Sequence, residues 1–304
     1  MEDFEAFGDD WLLTGYSANT LATYRHVLDK VPFELPGTLR EVKSWLASRQ
    51  AYVTPGTLAV DVRAVKAYSR WWASERRCED PLSDLRIPKV PQAAPGRIIS
   101  DEEIDQLRHA TSPGGQRVGR TPLRDRAILE MFIHTGMRRS ELVAINVSDV
   151  DFTHDLITID PSKNGEGRVI PLNATVRTAL ERYLRDERAR HRAAATKALF
   201  LGRDGRIRKD SITQLFHRMS ERAGLPQVVG THEFRRRFAE QWVAGGGADD
   251  HLMVIAGWKS PAMPARYRAA HRKEQALEQY RRIVGFVISP FDDHLPVAQH
   301  RRSA

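Results

Sequence analysis

Cysteine is almost missing: Cys78 is the only one in 304 residues. A single thiol excludes an intramolecular disulfide framework and a cysteine-built zinc site, and it fits a reducing compartment. Cys78 itself reads as a small half-buried filler. Long apolar runs are missing too. None approaches bilayer-spanning length, and the N-terminal MEDFEAFGDDW is acidic where a secretion signal would be basic and then apolar, so a cytoplasmic location and no membrane partner are expected. Internal repeats and extended low-complexity tracts do not occur. Acidic residues fall short of basic ones, 39 against 47, which leaves a net charge of +8 and a pI near 9.8. That imbalance favours an anionic partner, nucleic acid first. Arginine is common along the whole chain, so one local cluster carries less weight than it would elsewhere.

With 41% hydrophobic residues over this length, about two domains with real cores are expected. Residues Ser17 to Val31 place Leu21, Tyr24, Val27, Leu28 and Val31 at helical spacing. Leu39 to Arg49 repeats the pattern with Val42, Trp45 and Leu46. Thr54-Pro55 opens a longer helix through Glu75, with Leu58, Val62, Val65, Ser69 and Trp72 on one face and Arg63, Lys66 and Arg70 on another. That basic face is either solvated or set against phosphates. From Ile87 to Arg97 the prolines at 88, 91 and 95 and Gly96 prevent both helix and central strand and mark a connector. Beyond it, Ser100 to Glu103 is a capping-box start. Pro122 begins a helix through His134 that Gly136 ends. Leu156 to Asp160 and Gly167 to Leu172 are β-rich runs around Asn164-Gly165, the strongest short hairpin signal. Helices return at Ala174 to Ala195, Ser211 to Ala223, Glu233 to Gly245 and Asp249 to Ala256. The Arg/Ala-rich run from Glu187 to Lys197 reads as a solvated helix face. The fold class is therefore mainly α with a small antiparallel β-sheet.

Four segments carry chemistry-bearing residues. In TGMRRSEL, Thr135 to Leu142, Arg138 stands at a helix start, where a planar guanidinium and free N–H groups favour an anion; an ion pair with Glu141 is the plainer reading. In THEFRRRF, Thr231 to Phe238, His232 and Arg235 are three apart and share a helix face, whereas Arg236 and Arg237 are expected to point elsewhere. Lys163 belongs to the hairpin PSKNGEGRVIPL. In GWKSPAMPARYRAAH, Trp258 precedes Tyr267, with Arg266, Arg268 and His271 close by. No carboxylate or Cys/His cluster near Tyr267 suggests metal chemistry. A lysine on a hairpin is usually solvated, and a tryptophan or a flanked tyrosine is usually core, so no segment decides by itself.

Taken together and in this order, the four segments resemble the boxes of the tyrosine recombinases, the phage-integrase and Xer-type site-specific recombinases. TGMRRSEL is similar to the first-arginine box, PSKNGEGRVIPL to the lysine hairpin, THEFRRRF to the His-x-x-Arg box and AGWKSPAMPARY to the terminal box. FLGRDGRI and RAGLP are similar to the intervening text. The departures are Arg139 for an aliphatic residue, Arg236-Arg237 for a His-Thr or Arg-Thr pair, Glu166-Gly167 in the lysine-rich turn, and Trp258 where many members have histidine.

The resemblance implies a two-domain C-shaped DNA clamp: a helical core-binding domain over 1–86, a linker over 87–97, a catalytic domain over 98–285 and a tail over 286–304 that either docks on a neighbouring protomer or packs as a strand or helix on its own domain. It implies Tyr267 as nucleophile on a DNA phosphodiester, with a 3′-phosphotyrosyl intermediate and strand exchange through a Holliday junction. Arg138 and Arg235 would hold the phosphate, His232 would serve as acid/base and ligand, Lys163 would protonate the leaving 5′ oxygen, and Trp258 would donate its indole N–H. Glu141 would orient Arg138, and Arg63, Lys66 and Arg70 would face DNA. Neither ATP nor a metal cofactor is implied. The implied partners are a double-stranded recombination site and three further copies in a DNA-bound tetramer; an accessory DNA-bending protein is left open. Two alternatives stand beside it: a DNA-binding regulator that kept the fold without cleavage, and a type IB topoisomerase.

Overall fold

The computed structural model describes residues 2–90, 96–112, 121–160 and 167–287. The chain divides into two compact units, Met1–Ala94 and Pro95–Ala304, at a point inside the proline-rich stretch read as a connector.

The first unit holds α1 (Glu2–Leu13), α2 (Ala18–Leu28), α3 (Leu39–Gln50) and α4 (Pro55–Arg76). Three of them start where side-chain oxygens supply partners for free helix N–H groups. Ser17 accepts from Asn19 N, Thr38 and Glu41 form a reciprocal capping box, and Thr54 accepts from Thr57 N ahead of Pro55. Helix α1 lies in the acidic segment that was read only for its charge. Phe4, Phe7 and Trp11 recur there at helical spacing, and the Phe7 ring meets Tyr68 and Trp71 edge-on at 5.5 and 5.6 Å. Burying an aromatic of this size contributes roughly 1.5–3 kcal/mol. On α4, Val62, Val65 and Ser69 are buried as their spacing predicts.

The basic face of α4 divides. Arg63 and Arg70 are exposed, but the Lys66 ammonium donates to the carbonyls of Leu82, Ser83 and Leu85 at 3.0, 3.0 and 2.7 Å. All three of its donors are thereby engaged in tying the segment after α4 back onto the helix. Cys78 also departs from expectation: it is exposed, just past the left-handed Arg77 that ends α4.

The second unit begins with α5 (Asp101–Ala110), whose Ser100–Glu103 capping box forms as the sequence predicts, and α6 (Pro122–Thr135). There follow α7 (Arg139–Ala144), β1 (Val150–Asp151), β2 (Leu156–Ile159), β3 (Arg168–Pro171), α8 (Ala174–Asp186), α9 (Lys209–Arg222), α10 (Thr231–Ala244), α11 (Asp249–Ala256) and α12 (Ala262–Val287). The strands form one antiparallel sheet in the order β1-β2-β3, with Val150 opposite Ile157 and Ile157 opposite Ile170. The expected pairing of β2 with β3 is present; the Asn164-Gly165 turn lies outside the described residues. Two-residue β1 is too short to show a period of two in sequence.

Helix α6 runs through the core with Ile128, Leu129 and Phe132 fully buried, and the Phe132, Phe216 and Phe234 rings gather within 6.3 Å of one another. Helix α8 stops at Asp186, nine residues short of the expected end at Ala195. The reason is Arg188, which turns inward and donates to the carbonyls of Thr196 at 2.7 Å and Ala198 at 2.8 Å. The run read as a solvated helix face is thus a loop wound around a buried guanidinium. Helix α12 tolerates Pro264 because first-turn N–H groups have no acceptor within the helix. No described helix is long and apolar enough to cross a membrane.

Candidate functional site

Helix α6 ends at Gly136 in the left-handed conformation, φ 56°, and a Cβ there would lie 2.7 Å from the Phe238 ring. The chain reverses and Arg138 becomes the N-cap of α7. Its backbone N–H donates to Glu141 Oε2 at 2.7 Å, its Nη1 to Glu141 Oε1 at 2.8 Å, and its Nη2 to the Gly257 carbonyl at 2.7 Å. Glu141 is buried. Burial alone would raise its carboxyl, but the donors from Arg168 and Arg138 outweigh it and hold it below the usual glutamate range.

Helix α10 supplies His232, which is exposed, and Arg235, which is 8% exposed. Arg235 donates through Nη1 to the Gly136 carbonyl at 2.8 Å and through Nη2 to the Ala256 carbonyl at 2.6 Å. Its guanidinium also lies 5.2 Å from the centre of the Trp258 ring. Burial and then the nearby Arg138 lower its hold on the proton to about 10. The last turn of α11 therefore offers three consecutive carbonyls to three different arginines: Ile255 to Arg168 at 2.7 Å, Ala256 to Arg235 and Gly257 to Arg138. Helix-terminal carbonyls lack intrahelical partners, which makes them good acceptors for such forks. Gly257, at φ 65°, is required twice, since a Cβ would also stand 2.8 Å from Arg168 Nη1.

Trp258 and Tyr267 are both buried and stack with ring centres 5.7 Å apart and planes 2° off parallel. Burial raises the Tyr267 phenol above its usual value, and Arg236, Arg266 and Arg235 oppose that rise. Arg138, His232, Arg235, Arg236, Trp258, Arg266 and Tyr267 line one open cleft.

Of the sequence-predicted residues, Arg138, His232, Arg235, Trp258 and Tyr267 meet at this cleft. Lys163 lies outside the described residues; Asp160 and Gly167, which flank residues 161–166 in sequence, line a cavity with Arg138, Glu141 and Trp258. Arg236 does not point elsewhere: it is four residues after His232, hence on the same helix face, and lines the cleft. Arg237 does point away, donating to the Ile99 carbonyl at 2.7 Å and pairing with Asp101. Arg268 pairs with Asp249 at the start of α11. Arg168, which no sequence motif marks, has a side chain that is 8% exposed and grips both oxygens of Glu141, at 3.0 and 2.7 Å. The signal was available, since Arg168 shares a strand face with buried Ile170 and a cation there needs a carboxylate.

Residues 97–274 match the phage integrase family. The chain is 32% identical to tyrosine recombinase XerC of Roseiflexus castenholzii over 247 residues, covering 76% of each protein. It is 32% identical to tyrosine recombinase XerD of Mycobacterium tuberculosis over 256 residues, 76% of this chain and 81% of that one. In fold it is similar to the Tn1549 transposon integrase in complex with transposon right end DNA, with a TM-score of 0.69 at 17% identity over 93% of this chain and 99% of the other.

Proposed function

The chain belongs to the tyrosine recombinases of the phage integrase family, DNA recombinases that act at specific sites, and from that premise we propose that Tyr267 attacks a DNA phosphodiester held in the arginine cleft. The observation that carries this reading is the convergence of Arg138, His232, Arg235, Trp258 and Tyr267, from three separate stretches of chain, on one cleft.

The tyrosine oxygen forms a bond to phosphorus as the bond from phosphorus to the 5′ oxygen breaks, leaving a 3′-phosphotyrosyl link and a free 5′-hydroxyl. Arg138 and Arg235 hold the non-bridging oxygens with planar forks, work that a lysine does poorly. His232 acts as acid/base and phosphate ligand, and Lys163 delivers the proton to the leaving oxygen. Trp258 adds its indole N–H and keeps the Tyr267 ring flat against its own. Glu141 accepts from two arginines and serves as their anchor. The bond energy stays in the protein link, so an incoming 5′-hydroxyl restores the phosphodiester without ATP or a metal.

Exchange between two duplexes needs four active sites, so the chain assembles as a tetramer around a Holliday junction. Exposed Arg63 and Arg70 of the first unit face DNA. The work is placed in the cytoplasm.

The test uses duplexes selected by the 304-residue chain from a random pool and nicked next to the scissile position, which traps any covalent adduct. The expected result is an adduct with the wild type and none with Tyr267→Phe. An intact DNA complex without adduct favours the silent regulator, plasmid relaxation without exchange favours the topoisomerase, and an adduct that survives Tyr267→Phe moves the nucleophile to Tyr280, which is 62% exposed.

A further inference from the structure

Arg168 lies at the point where three chain segments bearing the site meet. Its strand, β3, begins two residues after 166 in the chain, its Nη1 and Nη2 donate to Oε1 and Oε2 of Glu141 at 3.0 and 2.7 Å, and its Nε donates to the Ile255 carbonyl two residues before Gly257. The same two carboxylate oxygens accept from Arg138, one from the side chain and one from the backbone. Glu141 therefore receives four donors, two from each arginine, and has no room to act as a base toward a ligand.

We infer that Arg168 is a positioning residue that fixes the Arg138 fork through Glu141. It rests on the reading that this cleft cleaves DNA. Arg138 has its Nη1 on Glu141 and one Nη2 hydrogen on Gly257, which leaves its Nε–H and the remaining outward N–H groups for an anion. Their direction is set by where the carboxylate plane lies. That plane is held by the second, buried fork of Arg168, which does not face the ligand. Without it, Glu141 would answer to one arginine at the rim of the cleft and could rotate with it.

A stabilising role alone does not account for the arrangement. A buried ion pair is often no more stable than packed apolar side chains, because desolvating the charges offsets their attraction. Here the pair joins the hairpin strand to the N-cap of α7 and the last turn of α11, all of which carry or flank site residues. Gly257 leaves open the space that both guanidiniums fill: a Cβ there would stand 2.8 Å from Arg168 Nη1 and 3.2 Å from Arg138 Nη1. The packing is arranged around two forks side by side.

The test measures single-turnover adduct formation on the selected nicked duplex, DNA affinity and thermal unfolding for Arg168→Met and Arg168→Lys, each in the wild-type and the Arg138→Lys background. In the wild-type background, Arg168→Met should slow adduct formation on the order of 10- to 100-fold, the usual effect of misplacing a reacting group by about an ångström, with DNA affinity unchanged. Arg168→Lys should recover part of the rate, and it carries the test if the methionine variant fails to fold. In the Arg138→Lys background the further loss should nearly vanish, since Arg168 acts through the Arg138 fork. Wild-type rates in both Arg168 variants overturn the inference. Equal losses in the two backgrounds overturn it as well, because a general structural defect multiplies with the loss of Arg138. A wild-type chain that forms no adduct sinks the cleavage reading, and the inference falls with it; adduct from wild type beside undiminished Arg168 variants sinks the inference alone.

Discussion

Glu130 gives the sharpest stability prediction in the second unit. It lies in the middle of α6 with no solvent exposure, and it accepts from Arg108 Nε and Nη2, both at 3.0 Å, and from Arg126 Nε at 2.6 Å, with His134 Nε2 at 3.3 Å. Burial by itself would push its carboxyl up. The His134 contact and the two guanidiniums overcome that and bring it from the ordinary 4.5 down to about 2. A group whose folded value is depressed stabilises the fold above its unfolded value and loses that stabilisation as the pH falls toward the folded value. The difference corresponds to about 3 kcal/mol at neutral pH, more than half of which is gone by pH 3.

Glu130→Gln keeps the shape and removes the charge, leaving Arg108 and Arg126 against a neutral amide. Removing one partner of a buried pair costs about 3–5 kcal/mol, which agrees with the linkage figure. Hydrogen exchange of α5 and α6 amides in urea reads the second unit separately from the first. The variant should lose about 3 kcal/mol against wild type at pH 7 and only about half that at pH 3, since other carboxylates titrate equally in both proteins. A difference that stays constant between pH 7 and pH 3 would refute the reasoning, because the stabilisation would then not depend on the ionised carboxylate. The same amides should stay protected to lower pH in wild type than any exposed ion pair of the chain could explain.

Two further perturbations separate engaged from available cations and ring from donor. Reversing Arg63 and Arg70 to glutamate should lower the slope of log K against log salt by roughly 0.9 for each phosphate no longer neutralised, whereas Lys66→Met should leave that slope alone and destabilise the first unit by about 1–3 kcal/mol through its orphaned carbonyls. Equal salt slopes for all three substitutions, measured by fluorescence anisotropy, would remove the α4 arginines from the DNA surface. Trp258→Phe keeps a ring against Tyr267 and Arg235 but loses the indole N–H, so adduct formation should slow by about 10²-fold with little change in melting. Trp258→Ala should also cost about 3 kcal/mol of stability. An undiminished rate in the phenylalanine variant would show that the indole donor takes no part.

Signals in the sequence are legible where their physical origin is local. Ser100 to Glu103, Thr54-Pro55 and the glycine at 136 mark helix ends because caps and left-handed residues act within a few positions. The pairing of β2 with β3 follows from alternation around a turn signal. What escaped depended on partners distant in sequence. Lys66 looks like a member of a basic helix face until the carbonyls of 82, 83 and 85 come within reach of it. Arg188 looks like one more arginine in a solvated run, and only the loop that folds over it shows why α8 stops. Arg236 is a different case, since its four-residue spacing from His232 was already legible.

The arrangement of the cleft also shows why its arginines need a partner from outside. Arg138, Arg168 and Arg235 crowd around one carboxylate, Glu141, so charge is not balanced within the cluster. The deficit shows at Arg235, whose proton is held less tightly, to about 10, because it is buried beside like charges. Neutral acceptors carry the difference: the carbonyls of Ile255, Ala256 and Gly257, each given to one guanidinium. Carbonyl dipoles orient a cation well but compensate its charge incompletely, since partial charges at a helix end sum to only about half a unit. On the proposed reading, a phosphodiester would bring a full negative charge and two non-bridging oxygens to the Arg138 and Arg235 forks, which these contacts already hold in place. Lysine at position 138 or 235 would break this geometry, because a single ammonium cannot reach a carbonyl on one side while presenting a planar pair of donors on the other.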